Sequence, residues 1–316
     1  MHRVGVIGAT GYVGSEVCRW VMMHPDLELA AVVSRSRVGE LLSDAVPSML
    51  GASDLRFSVF DPAALAELDV VVIATPHGAA KPLIDQLGDV PVLLDCSRDH
   101  RHAPGWVFGQ PEWHRDQLPG ATRIAAPGCF ATALMLSMAP FVAAGVATDA
   151  IQVVAATGST GSGATASAGT HHPLRFVNLK AYKVLRHQHV PEVRGLLEGL
   201  GRTPPIHFVP WSAPVDRGIF ATCFITVAEG VDAAAVVADA YADSRFVRVR
   251  QGTPELRLVR GTAYCDVSVH QDGNTAVVLA AIDNLGRGAA AQAIQALNLA
   301  LELPEDAGIG VVAATP

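Results

Sequence analysis

A glycine-spaced turn near the N-terminus limits the folds open to this chain more than any other feature. Residues 3–8 form a short apolar run typical of a strand, and a helical apolar pattern follows over residues 15–23. Between the two, Gly8, Gly11 and Gly14 recur at three-residue intervals. Strand, glycine turn and helix in this order predict a dinucleotide-binding domain with a parallel, Rossmann-type sheet.

Each glycine of the turn has its own expected task. Gly8 permits the tight turn, Gly11 lets a pyrophosphate approach the N-terminus of the helix, and Gly14 allows the helix to pack closely on the strand. The predicted cofactor contacts of the turn are Gly8, Thr10, Gly11, Tyr12, Val13 and Gly14.

The end of the second predicted strand, Leu27–Val33, indicates which dinucleotide binds. Sites that prefer NAD usually place Asp or Glu there to bind the ribose 2′-hydroxyl, whereas this chain has Ser34, Arg35, Ser36 and Arg37. Guanidinium groups pair well with a 2′-phosphate, so we expect NADP, with Ser34, Arg35 and Arg37 as contacts. A solvated basic loop is the alternative interpretation.

Two further apolar runs, Asp69–Thr75 and Val90–Asp95, predict buried parallel strands. The first ends in T-P-H-G and the second in D-C-S-R-D-H-R. Ligands bind beyond the carboxyl ends of such strands, so both loops are expected to line the cofactor or substrate crevice. Pro76, His77 and Ser97 are the predicted cofactor contacts, and Arg101 is predicted to bind an anionic substrate.

Composition excludes several classes of protein. The 316 residues are half hydrophobic and 17% charged, which fits two globular domains, and the net charge of −7 argues against a nucleic-acid partner. No apolar run reaches 18 residues, so no membrane span is expected. Five widely spaced cysteines without a C-x-x-C pair fit a reducing cytoplasm: Cys18, Cys96, Cys129, Cys223 and Cys265.

The segment A-A-P-G-C-F-A-T-A, residues 125–133, contains the candidate nucleophile Cys129. A Pro-Gly turn precedes it, and the apolar run from Phe130 to about Gly145 is rich in Ala, Leu and Met, which predicts a helix. Cys129 would then lie at a helix N-terminus, where unpaired N–H groups and the helix dipole stabilise a thiolate. A buried structural cysteine is the alternative.

A strand over Ile151–Thr157 leads into a loop of small residues, Gly158–Gly169. Such a loop is either a flexible linker or a substrate-facing loop that exposes backbone N–H donors. It continues into H-H-P-L-R. The predicted substrate contacts here are Ser159, His171, His172 and Arg175.

The motif H-Q-H-V-P-E places His187, His189 and Glu192 close together. A third strong ligand is missing, so a zinc site is the weaker interpretation and no metal is predicted. A histidine that acts as general acid and base, held by a carboxylate, requires no more than this. Pro191 argues against a regular helix across the motif, and nearby Lys180, Lys183, Arg186 and Arg194 make the neighbourhood basic.

The second half of the chain predicts an α+β domain with a mixed sheet. Strands are expected over Gly218–Val227, Tyr264–Val269 and Thr275–Ile282, and an Ala-rich helix runs from Gly288 to about Leu301. The turn that precedes this helix contains Asn284, a predicted cofactor contact. The predicted domains are 1–130 plus 286–316 for NADP binding and 131–285 for catalysis and oligomerisation.

Four segments together resemble the N-acetyl-γ-glutamyl-phosphate reductases and their relatives in lysine biosynthesis: G-A-T-G-Y-V-G, P-G-C-F-A-T-A, H-Q-H-V-P-E and I-D-N-L-G-R-G. The resemblance covers nearly the whole chain. It implies a homodimer or homotetramer with an NADP-binding Rossmann domain, into which the catalytic domain is inserted. It makes Cys129 the nucleophile and His187 the acid–base residue, supported by His189 and Glu192, with Arg101 and Arg217 near the substrate.

Departures from the acetylglutamyl pattern favour one branch of that family. Ala164 follows Gly158–Gly163 where a basic residue is usual, H-H-P-L-R comes later, and Ala131 replaces a proline. These features look more like the branch whose aminoadipyl phosphate is joined to a small acidic carrier protein, with Arg175 recognising a carboxylate. N-acetylglutamyl phosphate is the alternative substrate.

Residues and resemblance together predict reductive dephosphorylation. The Cys129 thiolate would attack an acyl phosphate and expel phosphate, and hydride from NADPH would then convert the thioester to a semialdehyde. A cysteine hydrolase with the same Cys–His pair is a different hypothesis, but it leaves the glycine turn unexplained. A catalytically silent NADP-binding regulator is a third.

Overall fold

A computed structural model of the chain describes residues 1–310, 312 and 313. It contains two compact units, one formed by Met1–Pro127 and Ala289–Ile309 and the other built on Gly128–Gly288. This division places Cys129 in the second unit, whereas the sequence-based boundary at 130 placed it in the first. Residues 311 and 314–316 of the predicted NADP domain lie outside the described residues.

The strands are β1 His2–Ile7, β2 Leu27–Val33, β3 Phe57–Ser58, β4 Val70–Ile73, β5 Val92–Asp95, β6 Val107–Phe108, β7 Arg123–Ala125, β8 Ile151–Thr157, β9 Lys180–Ala181, β10 Ile206–Ser212, β11 Ile219–Thr226, β12 Val247–Val249, β13 Cys265–Asp272 and β14 Thr275–Ile282. The α-helices are α1 Tyr12–Met22, α2 Leu42–Ala45, α3 Pro62–Ala66, α4 Ala80–Ile84, α5 Pro111–His114, α6 Cys129–Ala143, α7 His172–Arg175, α8 Val190–Leu200, α9 Ala233–Ala240 and α10 Ala291–Ala300.

The sheet of the first unit is parallel throughout, in the order β3-β2-β1-β4-β5-β7-β6. All four residues of β4 and of β5 are buried because both faces of the sheet are covered, and all of them are apolar except Asp95 at the end of β5. α10 packs with α1 and α5 in this unit. The predicted Rossmann-type sheet is confirmed.

The sheet of the second unit is mixed, in the order β12-β13-β14-β11-β8-β10-β9. β14 pairs antiparallel with both β13 and β11, while β8 and β10 run parallel. Burial alternates along β8 and β11, as expected where one sheet face packs on helices and the other does not. α6 packs against β11 and β14, and α8 and α9 pack against α6.

Two sequence predictions need correction in detail, and a third segment gains detail. Pro191 does not exclude a helix, because α8 begins at Val190 and a proline in the first turn loses no intrahelical hydrogen bond. The predicted helix from Gly288 begins instead with a turn of π-helix, Gly286–Ala290, that leads into α10. The small-residue loop contains two 3₁₀ turns, Ser159–Ser162 and Ala168–Thr170.

Among the residues that the structure describes, none of the helices is both long and apolar enough to cross a bilayer.

Candidate active site

Cys129 is the first residue of α6, the 15-residue helix predicted from its apolar run. Gly128 is the N-cap, with extended backbone and no side-chain cap, so the first N–H groups of the helix are directed at Cys129 and its surroundings. Cys129 is half-buried, whereas Cys18, Cys223 and Cys265 are buried. Burial raises the pKa of Cys18, Cys96 and Cys223 to about 12, which makes these thiols poor nucleophiles.

Two glycines allow the backbone to pack tightly around Cys129. A Cβ atom on Gly128 would lie 2.4 Å from Nε2 of His189, and one on Gly288 would lie 2.8 Å from Cβ of Cys129. Both distances are well inside van der Waals contact. Glycine is therefore required at these positions for space, although the backbone of Gly128 is ordinary for any residue.

The motif around His187 meets Cys129 from α8. Glu192 lies in the first turn of α8 and is buried, and its carboxylate Oε2 accepts a hydrogen bond of 3.0 Å from the backbone N–H of Gly128. His189 is the N-cap residue of α8 and packs on Gly128. The structure thus brings together Cys129, His187, His189 and Glu192, the four predicted catalytic residues; their individual roles stay predictions.

His187 is 3% exposed and surrounded by aromatic rings. Its ring centroid lies 5.2 Å from that of Phe130, 5.3 Å from that of Phe208 and 5.8 Å from that of Tyr182. Its Nδ1 accepts a hydrogen bond of 3.3 Å from the backbone N–H of His189. A nitrogen that accepts this bond carries no proton, so the neutral ring has its proton on Nε2.

Burial, and then the positive charge of Lys183, lower the pKa of His187 from 6.5 to about 4. The imidazole is therefore uncharged at neutral pH. It can donate a hydrogen bond from Nε2, but it does not supply a resting imidazolium to Cys129. Stabilisation of a thiolate is left to the N-terminus of α6 and to other donors.

The turn Asp283–Gly288 is held by its own carboxylate. Asp283 accepts hydrogen bonds from Nε of Arg217 at 2.6 and 2.7 Å, from the N–H groups of Leu285 and Gly286 at 2.8 Å, and from the N–H of Gly261. This arrangement fixes Gly288 against Cys129. Sequence reasoning missed Asp283, because Arg217 and Gly261 lie far from it along the chain.

Asn284 was predicted to contact the cofactor and Arg217 to contact the substrate. Both side chains form hydrogen bonds that hold the turn Asp283–Gly288 in place. The amide oxygen of Asn284 accepts a 2.6 Å hydrogen bond from the N–H of Gly218, and its Nδ2 donates to Oγ1 of Thr160 at 3.1 Å. Arg217 forms an ion pair with Asp283. Each side chain has a structural task whatever its role toward a ligand.

Of the substrate contacts predicted in residues 158–175, Arg175 is the one with a buried donor left for a substrate anion. It is half-buried and its Nη2 donates to the carbonyl oxygen of Thr157 at 3.0 Å. Its Nε is buried and has no hydrogen-bond acceptor among the described residues. His171 and His172 are exposed, and Ser159 donates its backbone N–H to Val215.

In the first unit, the glycine turn has the shape that a dinucleotide pyrophosphate requires. Gly8 has φ +90°, and a Cβ on it would lie 2.6 Å from the carbonyl oxygen of Ala74. A Cβ on Gly14 would lie 2.3 Å from the carbonyl oxygen of Gly8. Gly11 is the N-cap of α1 and has no capping side chain, so the helix N-terminus is left for an anion. Thr10 belongs to the same turn, and Tyr12 and Val13 are the first two residues of α1.

Beyond β2, the basic loop differs from expectation in one respect. Ser34 is buried at the strand end and Arg35 is exposed, but Arg37 forms a 2.7 Å ion pair with Glu40. The Glu40 carboxylate therefore competes with a 2′-phosphate for the guanidinium of Arg37. Arg35 is the one with no ion-pair partner among the described residues.

The loops after β4 and β5 are joined by hydrogen bonds that the sequence did not reveal. The Asp99 carboxylate accepts from the N–H groups of Gly78 and Ala80, and the N–H of Arg98 donates to Nδ1 of His77 at 3.2 Å. Pro76 accepts from Ala79 through its carbonyl oxygen.

The other predicted contacts of this region are anchored close to the β5 strand end. Ser97 is buried and donates both its N–H and its hydroxyl to Asp95. Nε of Arg101 donates to the carbonyl oxygen of Ala126 at 2.8 Å.

Across the described residues, no group of three or more His, Cys, Asp or Glu side chains is arranged to hold a metal ion.

Comparison with known proteins shows which class of enzyme has these two units. Residues 3–121 match the family model for the NAD binding domain of semialdehyde dehydrogenases, and residues 129–284 match the model for the semialdehyde dehydrogenase dimerisation domain. A Rossmann-type unit followed by a mixed-sheet unit with a cysteine at its start is thus the architecture of a semialdehyde dehydrogenase.

Whole-chain relatives narrow the class. The chain is 40% identical to the N-acetyl-gamma-glutamyl-phosphate reductase of Salinispora arenicola over 99% of both chains, and 38% identical to that of Pseudomonas fluorescens Pf0-1 over 98% of both. The chain therefore belongs to the semialdehyde dehydrogenase family, in its group of N-acetyl-gamma-glutamyl-phosphate reductases.

Solved structures agree on the fold. Aspartate semialdehyde dehydrogenase II from Vibrio cholerae superposes with a TM-score of 0.74 at 15% identity, covering 95% of this chain and 98% of that one. The aspartate semialdehyde dehydrogenase of Candida albicans, solved with NADP, gives 0.73 at 17% identity over 95% and 98%. At these identities the likeness extends to the fold alone.

Proposed function

We propose that this protein reduces an N-blocked amino-acid acyl phosphate to the corresponding semialdehyde, with NADPH as reductant and inorganic phosphate as the second product. The observation that carries the proposal is the packing of Phe130, the residue next to Cys129 in the first turn of α6, against a buried and neutral His187 whose proton is on Nε2. A nucleophile and a hydrogen-bond donor for the carbonyl oxygen are what acyl transfer followed by carbonyl reduction requires.

The first unit fits NADPH. Gly8 and Gly14 create a turn that any Cβ would fill, and Gly11 leaves the N-terminus of α1 open to the pyrophosphate. Arg35 is the proposed partner of the 2′-phosphate, with Ser34 beside it and Arg37 shared with Glu40. Pro76, His77, Ser97 and Asn284 stay proposed cofactor contacts.

In the first chemical step, the thiolate of Cys129 attacks the acyl carbon. A carbon–sulfur bond forms, the bond from carbon to the phosphate oxygen breaks, and phosphate leaves with that electron pair. The N-terminus of α6 stabilises the thiolate before attack. The product is a thioester on Cys129.

The second step reduces that thioester. When bound, NADPH supplies hydride to the acyl carbon. Nε2–H of His187 donates a hydrogen bond to the carbonyl oxygen, so that hydride addition gives the oxyanion of a thiohemiacetal on Cys129. The carbonyl double bond then re-forms as the carbon–sulfur bond breaks, which releases the aldehyde and restores the thiolate.

An anionic group on the substrate would explain Arg175. Its buried Nε lacks an acceptor among the described residues, and leaving a charged donor unmatched is costly. A substrate carboxylate would supply the missing acceptor. Arg101, Arg217, Ser159, His171 and His172 are the further proposed substrate contacts.

Two blocking groups on the substrate amine are candidates. An acetyl group follows from the relatives, which are named N-acetyl-gamma-glutamyl-phosphate reductases. A small acidic carrier protein is favoured by charge, since residues 150–191 contain no Asp or Glu but include Arg175, Lys180, Lys183 and Arg186. We propose that the substrate is the carrier-linked aminoadipyl or glutamyl phosphate. The enzyme is proposed to work in the cytoplasm as a homodimer or homotetramer.

One experiment tests the reaction. Cys129→Ala is expected to abolish NADPH oxidation while NADPH binding, followed by fluorescence titration, stays within about twofold of wild type. Substantial turnover in the variant would refute the role of Cys129, and acyl-phosphate consumption by wild type without NADPH oxidation would instead indicate a hydrolase. Wild type with neither activity would indicate a regulator.

A second experiment separates the substrates. Steady-state kcat/KM is measured with N-acetylglutamyl phosphate and with a carrier-linked aminoadipyl phosphate. A preference of at least about tenfold for the carrier-linked compound is expected, and the opposite preference would assign the protein to the acetylated substrate.

A further inference from the structure

Thr157 is the last residue of β8, and the proposed mechanism assigns it no task. The buried residues that precede it on the same face of the strand are Ile151, Val153 and Ala155. All three are apolar, whereas Thr157 carries a hydroxyl although it is only 6% exposed. A valine side chain has the same branched shape, so packing does not account for the hydroxyl.

The hydroxyl of Thr157 is buried and has no hydrogen-bond partner among the described residues. Buried hydroxyls usually have one, as Ser137 does through its 2.8 Å hydrogen bond to the carbonyl oxygen of Ala133. The neighbouring loop leaves little space here, since a Cβ on Gly161 would lie 3.2 Å from Oγ1 of Thr157. Thr157 therefore keeps a polar group at a position where that group costs stability.

A second unpaired donor belongs to Arg175, which contacts Thr157. Nη2 of Arg175 donates to the carbonyl oxygen of Thr157 at 3.0 Å, and this bond holds the guanidinium beside the strand end. Nε of Arg175 is also buried and lacks an acceptor among the described residues. Two side chains in one place thus present hydrogen-bond donors that the protein does not use.

Arg175 also lacks a negative partner. The other half-buried arginines of the second unit each form an ion pair with a buried aspartate: Arg217 with Asp283, and Arg248 and Arg250 with Asp266. Arg175 forms no ion pair among the described residues, and residues 150–191 contain neither Asp nor Glu. A half-buried guanidinium without a carboxylate indicates an anion that comes from outside the chain.

The same edge of the sheet carries the proposed nucleophile. Thr157 pairs with Ile219, which pairs with Ile282 on its other side, so Thr157 and Ile282 end two strands that run in the same direction. The chain continues from Ile282 into the turn that ends at Gly288, where a Cβ would lie 2.8 Å from Cβ of Cys129. Thr157 and Cys129 therefore flank the carboxyl ends of β8 and β14.

We propose that Thr157 is a specificity-determining residue, whose hydroxyl acts with Nε–H of Arg175 to bind a carboxylate of the substrate. The inference deepens the proposed function and rests on it in one respect, namely that Arg175 faces the substrate. A carboxylate has two acceptor oxygens and a negative charge, so it satisfies both donors and pairs the guanidinium. Acetylated and carrier-linked substrates both keep a carboxylate beside the blocked amine, so the inference holds for either.

The test measures binding by isothermal titration calorimetry and needs no turnover. The probes are N-acetylglutamate and its α-amide, in which the carboxylate beside the blocked amine is replaced by a neutral group. Wild type is expected to bind N-acetylglutamate at least about tenfold more tightly than the amide. Thr157→Val is expected to lose about tenfold in affinity for N-acetylglutamate and nothing for the amide. An unchanged affinity for N-acetylglutamate in the variant would overturn the proposal, as would equal binding of the two probes, or none, by wild type.

Urea denaturation and a conservative variant separate binding from structure. Because the hydroxyl has no partner among the described residues, the denaturation midpoint of Thr157→Val is expected to be at least that of wild type. Thr157→Ser keeps a hydroxyl and is expected to stay within about threefold of the wild-type affinity for N-acetylglutamate. A lower midpoint in Thr157→Val, or equal losses of affinity in the two variants, would assign the hydroxyl a structural role and overturn the proposal.

Thr222→Val is the matched control. Thr222 is half-buried on β11, where it pairs with Val154 and so lies on the opposite face of the sheet from Thr157. Its affinities for both probes are expected to match those of wild type. A loss for N-acetylglutamate equal to that of Thr157→Val would show that any such substitution in this sheet has the effect, and would overturn the proposal.

Inorganic phosphate distinguishes the two anionic groups of an acyl-phosphate substrate. Its affinity for Thr157→Val is expected to equal that for wild type, because Thr157 is assigned to the carboxylate. A loss parallel to that for N-acetylglutamate would assign Thr157 to the transferred phosphate and overturn the proposal. Absence of NADPH oxidation by wild type would refute the proposed function, whereas these binding differences need no turnover, so the two proposals fail separately.

Discussion

The backbone N–H of Gly128 donates a 3.0 Å hydrogen bond to the buried carboxylate of Glu192. This bond joins the N-cap of α6 to the first turn of α8, across 64 positions of sequence. Since Gly128 immediately precedes Cys129 and Glu192 follows His189, the bond sets the distance between the proposed nucleophile and the histidine motif.

Removing the carboxylate is expected to affect both stability and activity. Glu192→Ala leaves the N–H of Gly128 buried without this acceptor, which costs about 1–3 kcal/mol of unfolding free energy. Urea denaturation measures that loss, and kcat is expected to fall at least about tenfold. Glu198→Ala, at an exposed position of the same helix, is the control and is expected to change neither. Equal effects in the two variants would contradict the role given to Glu192.

Gly128 and Gly199 provide a pair of opposite predictions. An added Cβ at Gly128 would lie 2.4 Å from the His189 ring, while at Gly199, within α8, nothing lies within 4 Å. Gly128→Ala is therefore expected to displace His189 and to lower kcat at least about tenfold. Gly199→Ala is expected to stabilise the protein by about 0.5–1 kcal/mol and to leave kcat unchanged, because alanine favours a helix interior. Thermal melts measure the stability of both variants, and steady-state kinetics measure their kcat. A Gly128→Ala variant with wild-type kcat would show that the pocket tolerates the clash.

Stability should fall on acidification because of His187. Its folded-state pKa of about 4 lies below its ordinary value of 6.5, so between these values the unfolded chain binds more protons than the folded protein. The stabilisation is fully present above pH 6.5, is lost as pH falls toward about 4, and changes no further below that. Between pH 7 and 4.5 the loss from this residue is about 2 kcal/mol.

His187→Gln isolates that contribution. Its unfolding free energy, from urea denaturation at pH 7 and 4.5, should decline less than that of wild type by about 2 kcal/mol. Parallel declines would mean that other groups account for the acid sensitivity.

Cofactor preference should depend on Arg35 more than on Arg37. Arg37 is paired with Glu40, whereas Arg35 is exposed and has no ion-pair partner among the described residues. Arg35→Ala is expected to raise the KM for NADPH about tenfold and to leave that for NADH unchanged, with a smaller rise in Arg37→Ala. Initial rates with both coenzymes measure this. A larger effect at Arg37 would reverse the assignment.

Periodicity in the sequence predicted the elements that are held by burial. β2, β8 and β14 have the predicted bounds, and α6 starts one residue before the predicted Phe130, because each carries an apolar pattern that only one secondary structure can bury. The start of α8 was missed because Pro191 is a helix breaker in an interior but a common residue in a first turn.

The contacts that complete the site have no local signal. Asp283 acts on Arg217, 66 positions away, and Asp99 holds the N–H of Gly78 at a separation of 21. Tyr182 reaches His187 only because the two-residue strand β9 pairs at the sheet edge. Such partnerships depend on tertiary packing, which a pattern along one chain does not encode.

α6 is enclosed on all sides, since residues 130–142 are all buried. Cys129 is thus the first residue of a helix packed in the core, where substitutions that change side-chain volume are destabilising. The stretch 161–180 is instead exposed at every residue except Thr170 and Arg175, so most substitutions there leave the core of this unit unchanged. We therefore expect differences in substrate choice within the family to arise in that stretch and not in α6.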